Sequence, residues 1–482
     1  MSRTSESSNI ETDALIMLEY AMAVESTFRR LPSVDRLLSD RRIKGLAEAY
    51  PHPLVVNLVR QLLGRLRLSI AQGEPCPPFD AIVESICAEV QRLQQPSLRP
   101  VINATGVILH TNLGRAPLSP ETISAMDLAA KGYCNLELDL DSGKRGSRHV
   151  HIESLLCQLT GAEDALVVNN NASALLLALS ALAKGREVIV SRGQAVEIGG
   201  GVRIPEIMRQ SGARLVEVGT TNCTYVADYE TAITARTAAL LRVHSSNFRL
   251  VGFTESVPLE QLVRLGELRG LMVLDDLGSG CFLDTTKFGL APEPTAQQSI
   301  ALGVGLAFFS GDKLMGGPQA GLIVGKKLLI DKLKKHPLAR AVRIDKVRLA
   351  GLAATLRHYL KGEELSTIPI WRMISAPLET IERRAERWAQ SLDGLAVVVD
   401  GESVVGGGSL PGSTLPTKLL AIKGYRKEFK TVQELARRLR CQQPSVVARL
   451  EGNRLLLDPR TVLPEEDEAL LQAVHGAWKA TG

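Results

Sequence analysis

Aromatic residues are scarce. Phe, Trp and Tyr together make up 4% of the 482 residues, which argues against the broad aromatic stacking surface that single-strand nucleic-acid binders use. Paired cysteines are lacking as well. Cys76, Cys87, Cys134, Cys157, Cys223, Cys281 and Cys441 are odd in number and none forms a CxxC pair, so neither a cysteine-based metal site nor a disulfide framework is expected, and a reduced cytosolic setting is. No apolar run reaches the length of a membrane helix. Residues 1–11 are polar, without the apolar core of a signal. A cytoplasmic location with no membrane partner follows as the expectation. A large charge excess is missing too: the net charge of +5 says little by itself about nucleic acid. There is no internal repeat and no low-complexity segment.

What is present is a long globular chain, 45% hydrophobic and 23% charged, with room for two or three domains and a large core. Residues 13–94 read as helical. Leu15, Leu18, Met22 and Val24 mark one apolar face, and Leu54, Val55, Leu58, Val59, Leu62 and Leu63 another. Pro32, Pro51, Pro53 and the Pro75-Cys76-Pro77-Pro78 cluster punctuate the helices. A small helical domain is expected over residues 1–97. Its charge is tilted. Arg29, Arg30, Arg36, Arg41, Arg42, Lys44, Arg60, Arg65 and Arg67 face only Asp35, Asp40 and Glu48. A solvated helix face and a contact with a phosphate backbone both fit this pattern.

From Arg99 the texture changes. Strand-like runs at 188–190, 214–218, 238–243 and 271–274 alternate with helical patterns such as 172–183 and 259–268. Such alternation predicts an α/β domain over 98–364, with a mostly parallel sheet covered on both faces. Sites in these sheets lie beyond the carboxyl ends of the strands. From 365 to 482 a smaller α+β domain is expected: a helix at 378–392, strands at 396–399, 419–422, 446–450 and 454–457, and a last helix at 465–478. Gly406-Gly407-Gly408 reads as a short turn.

Three stretches can carry chemistry. In the first, residues 308–321, the apolar run 300–309 leads into Gly311, Asp312, Lys313, Gly316, Gly317 and Pro318. Lys313 is thereby expected at the mouth of a buried strand, in a turn where backbone can crowd a ligand. Desolvation there lowers an amine's pKa and frees its lone pair for imine formation; a solvated turn lysine is the plainer alternative. In the second, Asn169, Asn170, Asn171, Ala172 and Ser173 follow an apolar run and open an apolar helix. Bare N–H groups at a helix start, with the Ser173 hydroxyl, suit a phosphate, though an ordinary cap also fits. In the third, Asp275 and Asp276 close the 271–274 strand. One carboxylate could hold a protonated pyridine nitrogen, or serve as a cap or ion-pair partner. Asp275 follows the strand directly and is the one expected to do so.

The order phosphate cup, strand-end Asp275, Lys313 resembles the large domain of fold-type-I pyridoxal-phosphate enzymes. A narrower resemblance rests on longer blocks. Residues 99–119, from Arg99-Pro100-Val101 through Asn112-Leu113-Gly114-Arg115, are similar to a signature of the bacterial selenocysteine synthase family, the L-seryl-tRNA(Sec) selenium transferases. So are Glu197-Ile198-Gly199-Gly200, His244-Ser245-Ser246-Asn247-Phe248-Arg249 and Ser310-Gly311-Asp312-Lys313. His336-Pro337-Leu338-Ala339-Arg340-Ala341-Val342-Arg343 and 407–412 also match, and Leu31 to Leu38 resembles the family's N-terminal domain.

The resemblance implies a fold-type-I enzyme with a small helical tRNA-binding domain and an α+β C-terminal domain. It implies pyridoxal 5'-phosphate on Lys313 as an imine, seryl-tRNA(Sec) and selenophosphate as substrates, and an aminoacrylyl-tRNA intermediate. Lys313 and Asp312 stand as catalytic residues, Asp312 to steer protons or hold an arginine. Asp275, Asn170, Asn171, Ser173 and His244 stand as cofactor contacts, with a core histidine the alternative for His244. Arg115, Arg340 and Arg343, at matching positions, are expected to grip selenophosphate in their planar forks. A ring of five dimers is implied, with 219–222 near subunit contacts. No metal is expected. The alternatives are a pyridoxal-phosphate lyase or transferase acting on a small amino acid, and a non-catalytic RNA-binding protein, which would not need Lys313.

Overall fold

The structure, a computed structural model, describes residues 28–94, 96–199, 201–422 and 431–479. The expected apolar face of Leu15, Leu18, Met22 and Val24 lies outside the described residues, as does Gly200. The chain forms two compact units, Met1–Pro100 and Val101–Gly482.

The first unit is helical: Val34–Leu38, Arg41–Ala49, His52–Ala71 and Phe79–Gln94. Ser33 and Asp40 accept from the N–H groups of Arg36 and Arg42, so side chains satisfy first-turn donors. Val55, Val59 and Leu63 recur every four residues and pack with Leu37, Ile43, Ile82, Val83 and Ile86. All nine basic residues of the tilted stretch are exposed. Arg42 reaches Asp40 at 3.0 Å and Asp80 at 2.7 Å, and Arg36 lies over the Phe79 ring.

The second unit holds strands β1 (Val101–Ala104), β2 (Asp164–Val168), β3 (Glu187–Ser191), β4 (Glu197–Gly199), β5 (Val202–Arg203), β6 (Arg214–Val218), β7 (Thr237–Val243), β8 (Met272–Gly278), β9 (Leu306–Ser310), β10 (Gly321–Gly325), β11 (Ala396–Val404), β12 (Thr414–Ile422), β13 (Ser445–Glu451) and β14 (Arg454–Leu457). Seven make one sheet in the order β2-β10-β9-β8-β7-β3-β6. The five strands from β9 to β6 run parallel, and β10 runs antiparallel between β9 and β2. Successive side chains leave a strand on opposite faces. Phe309 therefore joins one core layer with Val167 and Leu240, and Phe308 the other with Leu166 and Leu241. Burial on both faces is why these strands read as unbroken apolar runs.

Two local readings differ from expectation. The run 300–309 is not one element: it ends the helix Ala296–Ala301, turns at Gly303, and becomes β9. The 271–274 strand extends to Gly278, so Asp275 and Asp276 lie inside it.

The other large sheet has the order β1-β13-β14-β12-β11, with β1 parallel to β13. Beyond β1, Ile108 and Leu109 donate their N–H groups to Val404 and Val405. Residues 101–109 are thus woven into the sheet built from residues 396–457. Trp388 and Trp478 fill its core.

Candidate active site

The turn after β9 is held by its own backbone. Gly311 donates to Ala320 O and Gly317 to Gly311 O, each at 2.9 Å. A side chain at Gly311 would meet Pro318 O at 2.6 Å, so only glycine fits this crossing. The turn delivers Lys313 into a cavity of about 240 Å³ lined also by Arg115, Asn170, Asn171, Ala172, His244, Ser246, Asn247, Asp276, Gly278, Asp312 and Gln319. Lys313 Nζ donates to Gly408 O at 3.3 Å. Gly408 has φ 81°, and a Cβ there would stand 3.2 Å from Nζ. The glycine turn of the second sheet therefore packs directly against the Lys313 amine. Burial, with the Arg115 charge, holds the Lys313 amine below its ordinary pKa, against the pull of Asp276 and Asp312.

The carboxylate that faces the cavity is Asp276, not Asp275. Both are buried, but as strand neighbours they point to opposite faces. Asp275 takes a two-pronged contact from Arg242, at 2.6 and 2.8 Å, and a hydrogen bond from Ser299 Oγ at 2.6 Å. Its oxygens are committed away from the cavity, which corrects the expectation drawn from the shorter strand. Asp276 accepts from Asn171 Nδ2 at 2.8 Å. Burial pushes its pKa up to about 6, against the lowering effect of Asn171 and Lys313.

Asn170 caps the helix Asn171–Leu182, its Oδ1 accepting from the N–H and the hydroxyl of Ser173, both at 2.9 Å. Asn170, Asn171 and Ala172 line the cavity. Ser173 does not; its hydroxyl turns to the cap. Asn169 and Asn171 keep buried side-chain oxygens without partners. A helix start aimed at a cavity, with a lysine and a buried carboxylate beyond, suits a phosphorylated pyridine.

Arg115, at φ 64°, binds Asp312 at 2.8 Å in the same cavity wall. Arg340 and Arg343 are exposed and do not line the cavity. Arg343 stands 3.9 Å from Glu137, and its backbone bridges to Val168 beside the start of the asparagine run. The expected cluster of three arginines is thus not assembled within one chain. His244 Nε2 lies 3.2 Å from Glu293 Oε1 but off line for a hydrogen bond, and neither atom has another partner among the described residues. Ser246, Asn247 and Gly278 escaped the sequence reading as site residues. The first two sit in the His244–Arg249 block, which was the signal available for them. Arg242, Ser299 and Glu293 carried none, because tertiary packing alone brings them here.

Residues 101–463 match the family described as L-seryl-tRNA selenium transferase, and residues 28–67 match the selenocysteine synthase N-terminal family. The L-seryl-tRNA(Sec) selenium transferase of Carboxydothermus hydrogenoformans is 48% identical over 452 residues, 92% of this chain and 96% of that one. The chain belongs to this family. The enzyme of the same name from Geobacter sulfurreducens, another member, is 48% identical over 458 residues, covering 93% of this chain and 98% of its own. Among solved structures, a D-glucosaminate-6-phosphate ammonia-lyase superposes with a TM-score of 0.57 at 23% identity, over 81% of this chain and 98% of that one. The family's fold is that of the fold-type-I pyridoxal-phosphate enzymes, and the helical unit carries the family's own N-terminal segment.

Proposed function

We propose that this protein converts seryl-tRNA(Sec) to selenocysteyl-tRNA(Sec), with selenophosphate as selenium donor and pyridoxal 5'-phosphate as cofactor. The observation that carries the reading is the pairing of Lys313 and Asp276 in one cavity, beside the start of the helix Asn171–Leu182. Bound there, the cofactor supplies an electron sink that acidifies the Cα proton of a seryl ester and lets its β-hydroxyl leave.

The chain's own groups have separable tasks. Lys313 holds the cofactor and, with its pKa lowered by burial, takes the Cα proton at Nζ. Asp276, oriented by Asn171, would hold the pyridine nitrogen. Asn170, Asn171 and Ala172 offer the helix start to the cofactor phosphate. Arg115, held by Asp312, presents positive charge to the anionic donor. Arg340 and Arg343 join donor binding from outside the cavity. The exposed arginines of the helical unit take the tRNA backbone.

No helix among the described residues is long and apolar enough to cross a membrane. The protein works in the cytoplasm as an assembly of dimers. Exposed Leu128, Tyr133 and Val150 around a cavity of about 730 Å³ support burial between copies.

The test is conversion by purified protein. Selenophosphate-dependent selenocysteine on tRNA(Sec) is expected. Turnover of free serine with no reaction on seryl-tRNA(Sec) would replace this reading with a small-amino-acid lyase.

A further inference from the structure

A second cavity, of about 320 Å³, adjoins the lysine's cavity. The two share His244 in their linings. The second is also lined by Phe248, Arg249, Glu255, Glu293 and Leu410. We infer that this cavity seats the terminal ribonucleoside of the aminoacyl-tRNA, with the Glu293 carboxylate accepting from the ribose 2'-hydroxyl. The inference rests on the proposed seryl-tRNA substrate and adds where its last nucleoside sits.

Chemistry fixes the neighbourhood. A seryl ester places its ribose oxygen two bonds from Cα. When Cα is at Lys313, the ribose lies within a few bonds of it, and the second cavity opens beside His244, the residue common to both linings. Next to His244 stands Glu293, which lines the second cavity and is 6% exposed. One carboxylate oxygen is turned toward His244 Nε2, and Glu293 has no formed side-chain hydrogen bond among the described residues. A buried carboxylate left without donors is costly unless a ligand supplies one. A ribose hydroxyl is such a donor, and it is the group that distinguishes RNA from DNA.

The remaining lining suits the rest of a nucleotide. Phe248 offers a face on which any base can stack. Arg249 is exposed and has no ion pair among the described residues, so its fork is open to the 5'-phosphate. Leu410 is buried at φ 51°, a conformation disfavoured for leucine. Backbone strain of this kind concentrates at ligand clamps. The volume falls within the roughly 300–1,000 Å³ typical of small-molecule sites.

The test uses the holoenzyme and stable amides: 3'-seryl-amido-3'-deoxyadenosine, its 2'-deoxy counterpart, and both with a 5'-phosphate. Dissociation constants are read by calorimetry. Removing the 2'-hydroxyl should weaken binding about tenfold in the wild type, the worth of one hydrogen bond to a charged group, and much less in Glu293→Ala and Glu293→Gln. The 5'-phosphate should strengthen binding about tenfold in the wild type and add little in Arg249→Ala, a surface change that spares the fold. An equal 2'-hydroxyl penalty in wild type and Glu293→Gln would overturn the assignment, as would a wild type that binds neither amide. Loss of cofactor absorbance in the Glu293 variants would leave the Arg249→Ala comparison to decide. Failure to convert seryl-tRNA(Sec) would count against the function, and is read separately from these constants.

Discussion

The cavity of the larger unit and the basic stretch of the helical unit use charge in opposite ways. In the cavity the charged groups are few, and each has a named partner: Asp276 with Asn171, Arg115 with Asp312, Lys313 with Gly408 O. On the helical unit nine basic residues stand exposed along one stretch of chain. Buried charges act singly, because each desolvated group depends on its partner. Exposed charges act as a sum and are screened by salt. The lesson is that one substitution should silence the first region, while the second should yield only by degrees.

The largest effect is expected at Lys313. Lys313→Ala should lose the bound-cofactor absorbance and lower activity by about a thousandfold or more. A variant that keeps the wild-type spectrum would break the comparison at its strongest point. Removing the helical unit should come next. Deleting residues 1–95 should weaken tRNA binding by about a hundredfold or more at physiological salt, since many phosphate contacts go at once. The cofactor absorbance should remain. A truncated protein that binds seryl-tRNA(Sec) as tightly as the full chain would give the basic stretch another task.

The neighbours Asp275 and Asp276 sharpen the contrast inside the cavity unit. Asp276→Asn should keep the fold and lower turnover by about a hundredfold, because an amide does not keep a pyridine nitrogen protonated. Asp275→Asn should instead cost about 3–5 kcal/mol of stability, since it leaves Arg242 facing an uncompensated site. Thermal unfolding and turnover, measured on both variants, separate the two roles. The reverse pattern would restore Asp275 as the cofactor's partner.

Asp276 also sets a pH signature in the cofactor-free protein. Its folded-state pKa, about 6, stands above the ordinary 3.8. Between those values the folded chain keeps a proton that the unfolded chain has lost. Stability should therefore fall as pH rises from about 4 to about 6, by about 3 kcal/mol. Asp276→Asn should flatten that slope, and denaturant midpoints across the window report it. An unchanged slope would mean that Asp276 is ionised throughout.

Much of this was legible in the chain, for reasons that also mark where legibility stops. Strands β3 and β7 were readable because burial on both faces leaves unbroken apolar runs. Lys313 was readable because Gly311 and Gly316 frame it. The choice between Asp275 and Asp276 was not. It depends on which face of β8 meets the cavity, and Arg242 on the neighbouring strand decides that from 33 positions away. Placing β1 beside β13 needed a pairing across more than three hundred residues, which no local pattern encodes. A separation of 95 positions likewise hid the contact of Gly408 with the Lys313 amine.

The smallest effect should come from a single arginine of the helical unit, and there the comparison is tested most finely. Arg60 is exposed and forms no ion pair among the described residues. Arg42 is also exposed but tied to Asp40 and Asp80, joining the helices Arg41–Ala49 and Phe79–Gln94. If the basic stretch binds a phosphate backbone, Arg60→Ala should lower tRNA affinity a few-fold and reduce the slope of log affinity against log salt by about one, with unfolding unchanged. Arg42→Ala should change the slope less, because its fork is already occupied, and should instead loosen the contact between the two helices. Affinity measured at several salt concentrations, beside thermal unfolding, distinguishes them. A salt slope indifferent to Arg60 would place the tRNA elsewhere on the protein, and the nine exposed charges would then be a solvated surface.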